Sequence, residues 1–299
     1  MEKKKKGKGI TSLEMRIFPY ALILPNLLIF VLFIAVPAVM GMYYSLTDFK
    51  GIGTPNFIGI ANYVKMAGDS RFWASFWRTW KFSLITLPLV VFIPLMLAML
   101  MIMPIRMKGV FRAIFYWPSM ISYIVVGLSF KFIFGETTGV INYALSLMGV
   151  AKVEWLTNAN MAMFVLILAT VWSRTGFYMV NYIAGLQSIS DSYYEASLVD
   201  GATKVDQFFH ITLPLLKPTM FMVMVLGFLD LFKSYGLVIS MTNGGPASAT
   251  KFVVQFVYEK AFQNLSMGYA SALSMLMLVV MAVVTVIQFT LSRGGQIND

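Results

Sequence analysis

Two groups of residues in this chain could do chemistry, and both lie in its second half. The first is charged and aromatic and interrupts apolar sequence. Arg174 breaks the run from Asn160 to Leu186, and Tyr178, Asn181 and Gly185 follow it at i+4, i+7 and i+11. On a helix those positions share one face. An arginine, a phenol and an amide along one stripe would suit the hydroxyls of a sugar. A charge at the centre of a membrane helix costs about 2.5–3.5 kcal/mol on insertion scales. Arg174 therefore either serves such a site or reaches water from the end of its span by extending its side chain. Asp230 and Lys233 stand three apart in the next apolar run, near enough on a helix to neutralise each other. They read equally as a structural couple facing a partner and as a substrate contact. Tyr235 adds a ring that could stack on a sugar. Arg174, Tyr178, Asn181, Asp230 and Tyr235 are the candidate substrate-pathway residues.

The second group runs from Glu195 to Pro218, a polar stretch between two apolar blocks. Glu195, Ala196 and Ser197 come first; three residues on stands Gly201, and nine further on Ile211, followed by Leu213 and Pro214. A short helix is expected over Tyr194–Val199, with Glu195 near its positive N-terminal end. Gly201 permits the chain to reverse. A second short helix is expected over Thr203–Phe209, with Phe208 and Phe209 free to pack. Pro214 and Pro218 suit the start of a following helix, where a missing N–H costs nothing. The whole is a compact docking element, and the residues alone do not name what it docks to.

The elements that must hold these groups are membrane spans. The chain has 299 residues, 59% of them hydrophobic and 12% charged, against about 25% charged in a soluble domain. So little polar surface points to lipid as the solvent. Six spans are expected, at about 17–46, 82–105, 112–134, 160–186, 218–241 and 267–292, with a docking loop at 190–217. Together they make one membrane body over 17–292, flanked by tails at 1–16 and 293–299. Pro19, Pro25 and Pro37 in the first span free backbone groups that neighbouring helices must satisfy. The cluster Phe72, Trp73, Phe76, Trp77 and Trp80 reads as an interfacial belt ahead of the second span. Short helices are expected near Val140–Leu147 and Val253–Phe262.

The net charge of +10 fits lysines and arginines gathered on the cytoplasmic side better than nucleic-acid binding. The N-terminal lysines and the turn at Arg106, Lys108 and Arg112 then place both termini and the docking loop inside. The N-terminal lysines could also attract anionic lipid headgroups. There is no cysteine and one histidine, which excludes disulfides, thiolate chemistry and a multi-histidine metal site. No phosphate-cradling G-x-x-x-x-G-K-[ST] occurs, so the chain is not expected to bind ATP itself. The 23 methionines are scattered through the spans as gap-filling side chains.

The spacing around Glu195 resembles the E-A-A, three residues, G, nine residues, I-x-L-P loop of ABC importer permeases, departing only at Ser197, where that family usually has alanine. Further segments resemble its carbohydrate-uptake branch: Asn62-Tyr63, Phe72-Trp73, Phe111-Arg112 with Trp117-Pro118, Ala184 to Ile189, and Thr242 with Gly244-Gly245-Pro246. The last also reads simply as a tight outer turn. The resemblance implies an all-α fold of six transmembrane helices, the type I importer permease fold with a cytoplasmic coupling helix. It implies that Tyr194, Glu195, Ala196, Ser197, Asp200, Gly201 and Phe208 engage an ATPase. It also implies a second homologous permease, two ATP-binding cassette subunits, an extracellular solute-binding protein, and a sugar or related solute such as glycerol phosphate. No catalytic residue, metal or cofactor is expected. An ion-coupled transporter using Asp230 and Arg174, and a membrane scaffold, are the rival readings.

Overall fold

The computed structural model describes residues 12–104 and 106–292. Of the expected tails, residues 1–11 and 293–299 lie outside the described residues. The described residues divide into two compact units, one of 12–67 with 260–275, the other of 68–259 with 276–292.

In the first unit, α1 (Ser12–Phe30) passes through a wider π-turn (Val31–Ala35) into α2 (Val36–Ser45). The apolar stretch Leu22–Ser45 is long enough to cross a membrane, yet its most apolar window has no buried residue. A helix that is apolar all round needs lipid or another chain to cover it. Beyond it, Asn62 on α3 (Ala61–Ala67) donates through Nδ2 to the carbonyls of Ser45 (2.9 Å) and Thr47 (2.8 Å). Those bonds stop the end of α2 from fraying. Lys65 lies 4.7 Å from the centre of the Tyr269 ring, near the start of α15 (Met267–Leu291).

The second unit is built on α4 (Ser70–Ile102) and α8 (Ala159–Gln187). Asp69 caps α4, its Oδ1 accepting from the backbone N–H of Arg71 and Phe72, as a short acid at an N-cap should. At 33 residues α4 is roughly 50 Å long by the helical rise, so it overreaches a bilayer core of about 30 Å. It therefore starts well before residue 82. The aromatic residues near its start are mainly core: Phe72 and Phe76 are buried, and Phe72 packs against Phe256 (6.1 Å) while Trp80 meets Phe228 and Phe232. Only Trp77 shows the exposure an interfacial belt needs.

The third and fifth spans are broken. Residues 112–134 form α5 (Lys108–Tyr116), a 3₁₀ turn (Trp117–Met120) and α6 (Tyr123–Ile133), with the helical pair bent by 99°. Pro118 has no N–H to continue α5. Residues 218–241 form α12 (Lys217–Phe232) and α13 (Gly236–Met241). Ser234 and Gly236 flank that break, a pairing that commonly kinks helices. Among the described residues four helices are long and apolar enough to cross a membrane, or up to six if the pair bent by 99° and the pair Lys204–Leu215 with Lys217–Phe232, bent by 64°, each count as one span. α7 (Val140–Leu147) and α14 (Val253–Tyr258) are the expected short connectors.

The core joins Val90, Val91 and Leu95 of α4 to Tyr178, Met179 and Tyr182 of α8 and Val223 of α12. A second cluster joins Val126 and Phe130 of α6 to Leu166 and Ala169 of α8 and Val238 of α13. At Gly176 a side chain would collide with the backbone of Phe115 and Tyr116, so α8 and α5 touch through bare backbone. The loop after α8 holds α9 (Asp191–Val199), α10 (Lys204–Gln207), a π-turn (Phe208–Thr212) and α11 (Leu213–Leu215), which leads into α12.

Candidate functional site

Arg174, Tyr178 and Asp230 come together although Asp230 is on another helix. The Arg174 guanidinium lies 3.1 Å from Asp230 Oδ2, and the Tyr178 hydroxyl donates to the same oxygen at 3.1 Å. Arg174 also stacks over the Tyr123 ring, 4.4 Å from its centre. Tyr123 opens α6 just past one chain break, and Asp230 lies just before the other. One unbroken helix, α8, thus ties the two broken spans together by a charge. A cavity of about 180 Å³ opens beside this tie, lined by Tyr123, Thr170, Arg174, Asp230, Lys233 and Tyr235.

Two expectations are corrected here. Asp230 does not neutralise Lys233: its carboxylate serves Arg174 and Tyr178, and no ion pair joins it to Lys233 among the described residues. The intervening cause is tertiary, since α8 brings a better donor than the neighbour on the same helix. Asn181 is not brought to this cavity: it is not among the lining residues, and its Nδ2 donates back to the Phe177 carbonyl at 2.8 Å. Tyr235 does line the cavity, but its ring packs against Tyr258 at 5.4 Å. Tyr123 was not among the expected residues; its place a few residues after Trp117-Pro118 was the available signal.

The turn after α13 is a built structure. Thr242 and Thr250 share a hydroxyl hydrogen bond (2.7 Å), and Thr250 donates to the Gly245 carbonyl (2.6 Å). Gln255 donates to the Asn243 carbonyl and to Glu259, which also pairs with Lys251 at 2.9 Å. These bonds close the Thr242–Pro246 segment on itself, which supports the reading of it as a turn.

The loop between α8 and α12 is equally ordered. Ser190 Oγ caps α9 by accepting from Ser192 N–H. Just past the end of α9, Gly201 has φ +78°. Gly201 N–H donates to Leu198 O (3.1 Å) and Ala202 N–H to Ser197 O (2.9 Å), the pairing that follows a left-handed residue at a helix end. Nothing lies within 4 Å of a side chain placed there, so backbone conformation alone demands the glycine. Thr203 then caps α10, accepting from Asp206 N–H (3.2 Å) while the Asp206 carboxylate accepts from Thr203 N–H (2.9 Å) and hydroxyl (2.5 Å). Those donors hold the Asp206 carboxyl below its usual pKa.

Of the expected coupling residues, Glu195, Ala196, Asp200 and Gly201 are exposed, while Tyr194, Ser197 and Phe208 are half-buried. Tyr194 turns inward, its hydroxyl bonded to Thr212 (2.9 Å). Leu198, Val199, Val205 and Phe209 are exposed apolar side chains on the same loop. Exposed apolar patches rimmed by polar groups are characteristic of interaction surfaces. Beneath the loop a cleft of about 620 Å³ runs against the ends of α4 and α8, lined among others by Ile102, Leu186, Tyr194 and Phe208.

Comparison with known proteins agrees with this geometry. Residues 57–294 match the binding-protein-dependent transport system inner membrane component family. The chain is 31% identical to the probable starch degradation products transport system permease protein AmyD of Thermoanaerobacterium thermosulfurigenes, covering 94% of this chain and 96% of AmyD. It is 32% identical to the trehalose/maltose transport system permease protein MalF of Thermococcus litoralis, over 92% and 93% of the two chains. It is also 32% identical to the sn-glycerol-3-phosphate transport system permease protein UgpA of Agrobacterium fabrum, over 92% and 94%. In fold it is similar to a chain of a crystallised bacterial ABC transporter involved in the import of the acidic polysaccharide alginate. That match has TM-score 0.83 and 24% identity, covering 95% of this chain and 99% of the other. The architecture is the type I importer permease fold.

Proposed function

This chain belongs to the binding-protein-dependent transport system inner membrane component family, and from that membership we propose that it is one of two permease subunits of an ATP-driven importer of oligosaccharides or related carbohydrates. It is a multi-pass membrane protein and a non-catalytic subunit of its transporter. The partners are a second homologous permease, two ATP-binding cassette subunits that hydrolyse ATP, and an extracellular solute-binding protein. In this reading both termini and the loop at 190–217 are cytoplasmic, in a bacterial inner membrane.

One observation supports the reading beyond the family: the loop at 190–217, closed by its own caps and hydrogen bonds, presents an exposed acid and exposed apolar side chains together. Glu195 and Ala196 stand on α9 beside Leu198 and Val199, while capped ends, the left-handed Gly201 and the Tyr194–Thr212 bond fix its shape. A loop that only joined two spans would have no use for an apolar face in water. An ATPase surface that moves on nucleotide binding would push this body, and α11 passes the motion directly to α12. The tie from Asp230 on α12 to Arg174 on α8 then carries it to the cavity beside Tyr123. Arg174, Tyr178, Asp230 and Tyr235 are the residues proposed to meet or shape the passing sugar. Asn181, bonded to its own helix, supports that role less.

The test is reconstitution of the full complex in vesicles with labelled oligosaccharide outside and ATP at the ATPase face. Gly201→Asp is expected to leave the chain inserted while abolishing ATP-dependent uptake and ATPase retention. Uptake that follows a proton gradient without ATP would favour an ion-coupled transporter instead. Glycerol phosphate as the preferred cargo would keep the importer and replace the sugar.

A further inference from the structure

Ser197 is the one position at which this loop departs from the family's usual alanine, and its hydroxyl is not idle. Ser197 Oγ donates to the Tyr194 carbonyl (2.8 Å) and accepts from Gln207 Nε2 (2.8 Å). Gln207 stands on α10, only 3% exposed. Its Nε2 also reaches the Tyr194 carbonyl (3.4 Å), and its Oε1 accepts from Lys204 Nζ (3.2 Å). Its backbone carbonyl accepts from Thr212 Oγ1 (3.3 Å), the hydroxyl that also meets Tyr194. Every polar group of this buried amide therefore has a partner, and the Ser197 contact is the shortest of its side-chain bonds.

We propose that Ser197 and Gln207 form a clip that makes α9 and α10 move as one body, with Gln207 acting as a positioning residue for force transmission. The physical argument starts from the turn. Between the two helices the chain runs through Gly201, Ala202 and Thr203, and Gly201 adopts its φ of +78° without side-chain contacts to brace it. A glycine hinge with nothing packed on it bends easily. Without bonds across the turn, a push on α9 would be absorbed at that hinge before reaching α11 and α12. The Tyr194–Thr212 bond is one such link, and the clip is a second, made by a buried amide close to the hinge. An alanine at 197 would leave one Gln207 donor with a single long contact and would free the hinge. This role rests on the reading that α9 is pushed by an ATPase.

The experiment measures sugar imported per ATP hydrolysed by the assembled complex. Loss of fold lowers both quantities together and leaves their ratio; loss of transmission lowers the ratio. Gln207→Leu is expected to lower it by about threefold, within the range typical for residues along a coupling route. Gln207→Glu should not spare it, since a carboxylate cannot donate to the Ser197 oxygen, whose own proton already goes to the Tyr194 carbonyl. Ser197→Ala added to Gln207→Leu should cause no further loss, because both cut one link. Hydrogen exchange in peptides covering 191–212 provides a second readout, and it should quicken in Gln207→Leu. An unchanged ratio in Gln207→Leu, or a ratio that Gln207→Glu leaves unchanged, would overturn the clip. If the unsubstituted complex shows no ATP-dependent uptake, the importer reading fails instead. Exchange then decides the clip alone: quicker in Gln207→Leu upholds it, unchanged overturns it.

Discussion

Between α8 and α12 two helices are joined by ions; between α9 and α10 two helices are joined by an amide and a hydroxyl. The first link lies in apolar sequence, where Arg174, Asp230, Tyr178 and Tyr123 share one contact group. The second lies in the polar loop, where Ser197, Gln207, Tyr194 and Thr212 bond as neutral groups. The solvent explains the difference. In an apolar setting Coulomb attraction is strong and a lone charge is costly, so a charge can tie two helices only as a pair. Facing water, an exposed ion pair is screened and contributes little. A shielded neutral network holds its geometry there with less dependence on salt.

The largest effect that could break this comparison is expected at Asp230. Asp230→Leu removes the acceptor of both Arg174 and Tyr178. The two side chains of the pair are 24% and 38% exposed, so screening reduces the loss to about 2 kcal/mol, below the roughly 3–5 of a fully buried pair. A thermal midpoint in detergent would show it. Adding Arg174→Met should recover much of the loss, because replacing both partners is gentler than stranding one. A double variant no better than the single would show that the tie is not ionic.

A smaller loss, about 1.5 kcal/mol, is expected for Tyr178→Phe, which keeps the ring in the core and removes one donor to a charged acceptor. The same midpoint measures it, and Asp230→Leu should make Tyr178→Phe silent. On the loop side Thr203→Ala removes the cap of α10 and should cost about 1 kcal/mol of local stability, read as faster hydrogen exchange at 203–212 with little change in the global midpoint.

The smallest effect is one of pH. The Asp206 carboxyl is held below its ordinary value by the Thr203 hydroxyl and N–H. Its contribution to the loop is therefore fully present above the unfolded carboxylate value, near pH 4. It is lost as pH falls through the lowered folded value. Protection of the amides at 203–212, after correction for the slowing of intrinsic exchange in acid, should fall below about pH 4, and Thr203→Ala should flatten that dependence.

Much of this was legible in the residues, and the misses share a cause. The spacing from Glu195 to Pro214 placed two short helices and a left-handed glycine, because caps and turns are local chemistry. Long apolar runs located α8 and α15 for the same reason. The broken spans were missed because uninterrupted apolarity says nothing of direction; Trp117-Pro118 and Ser234-Tyr235-Gly236 were the marks of the bends. Asp230 was matched with Lys233 because sequence shows neighbours on one helix and hides a partner 56 positions away on another, as Arg174 is. Gln207 carried no signal at all: a glutamine in a polar loop looks solvated until the fold buries it.

The central claim is that the loop at 190–217 transmits ATPase motion to the spans from the cytoplasmic side. The chain has no native cysteine, so Ala196→Cys, exposed on α9, provides a unique thiol. In the assembled complex it should cross-link to the ATP-binding subunit, with a yield that changes between nucleotide-free and ATP-bound states. A membrane-impermeant thiol reagent should reach it only from the cytoplasmic side. Labelling from outside, or intact ATP-driven uptake with no cross-link in either state, would contradict the account.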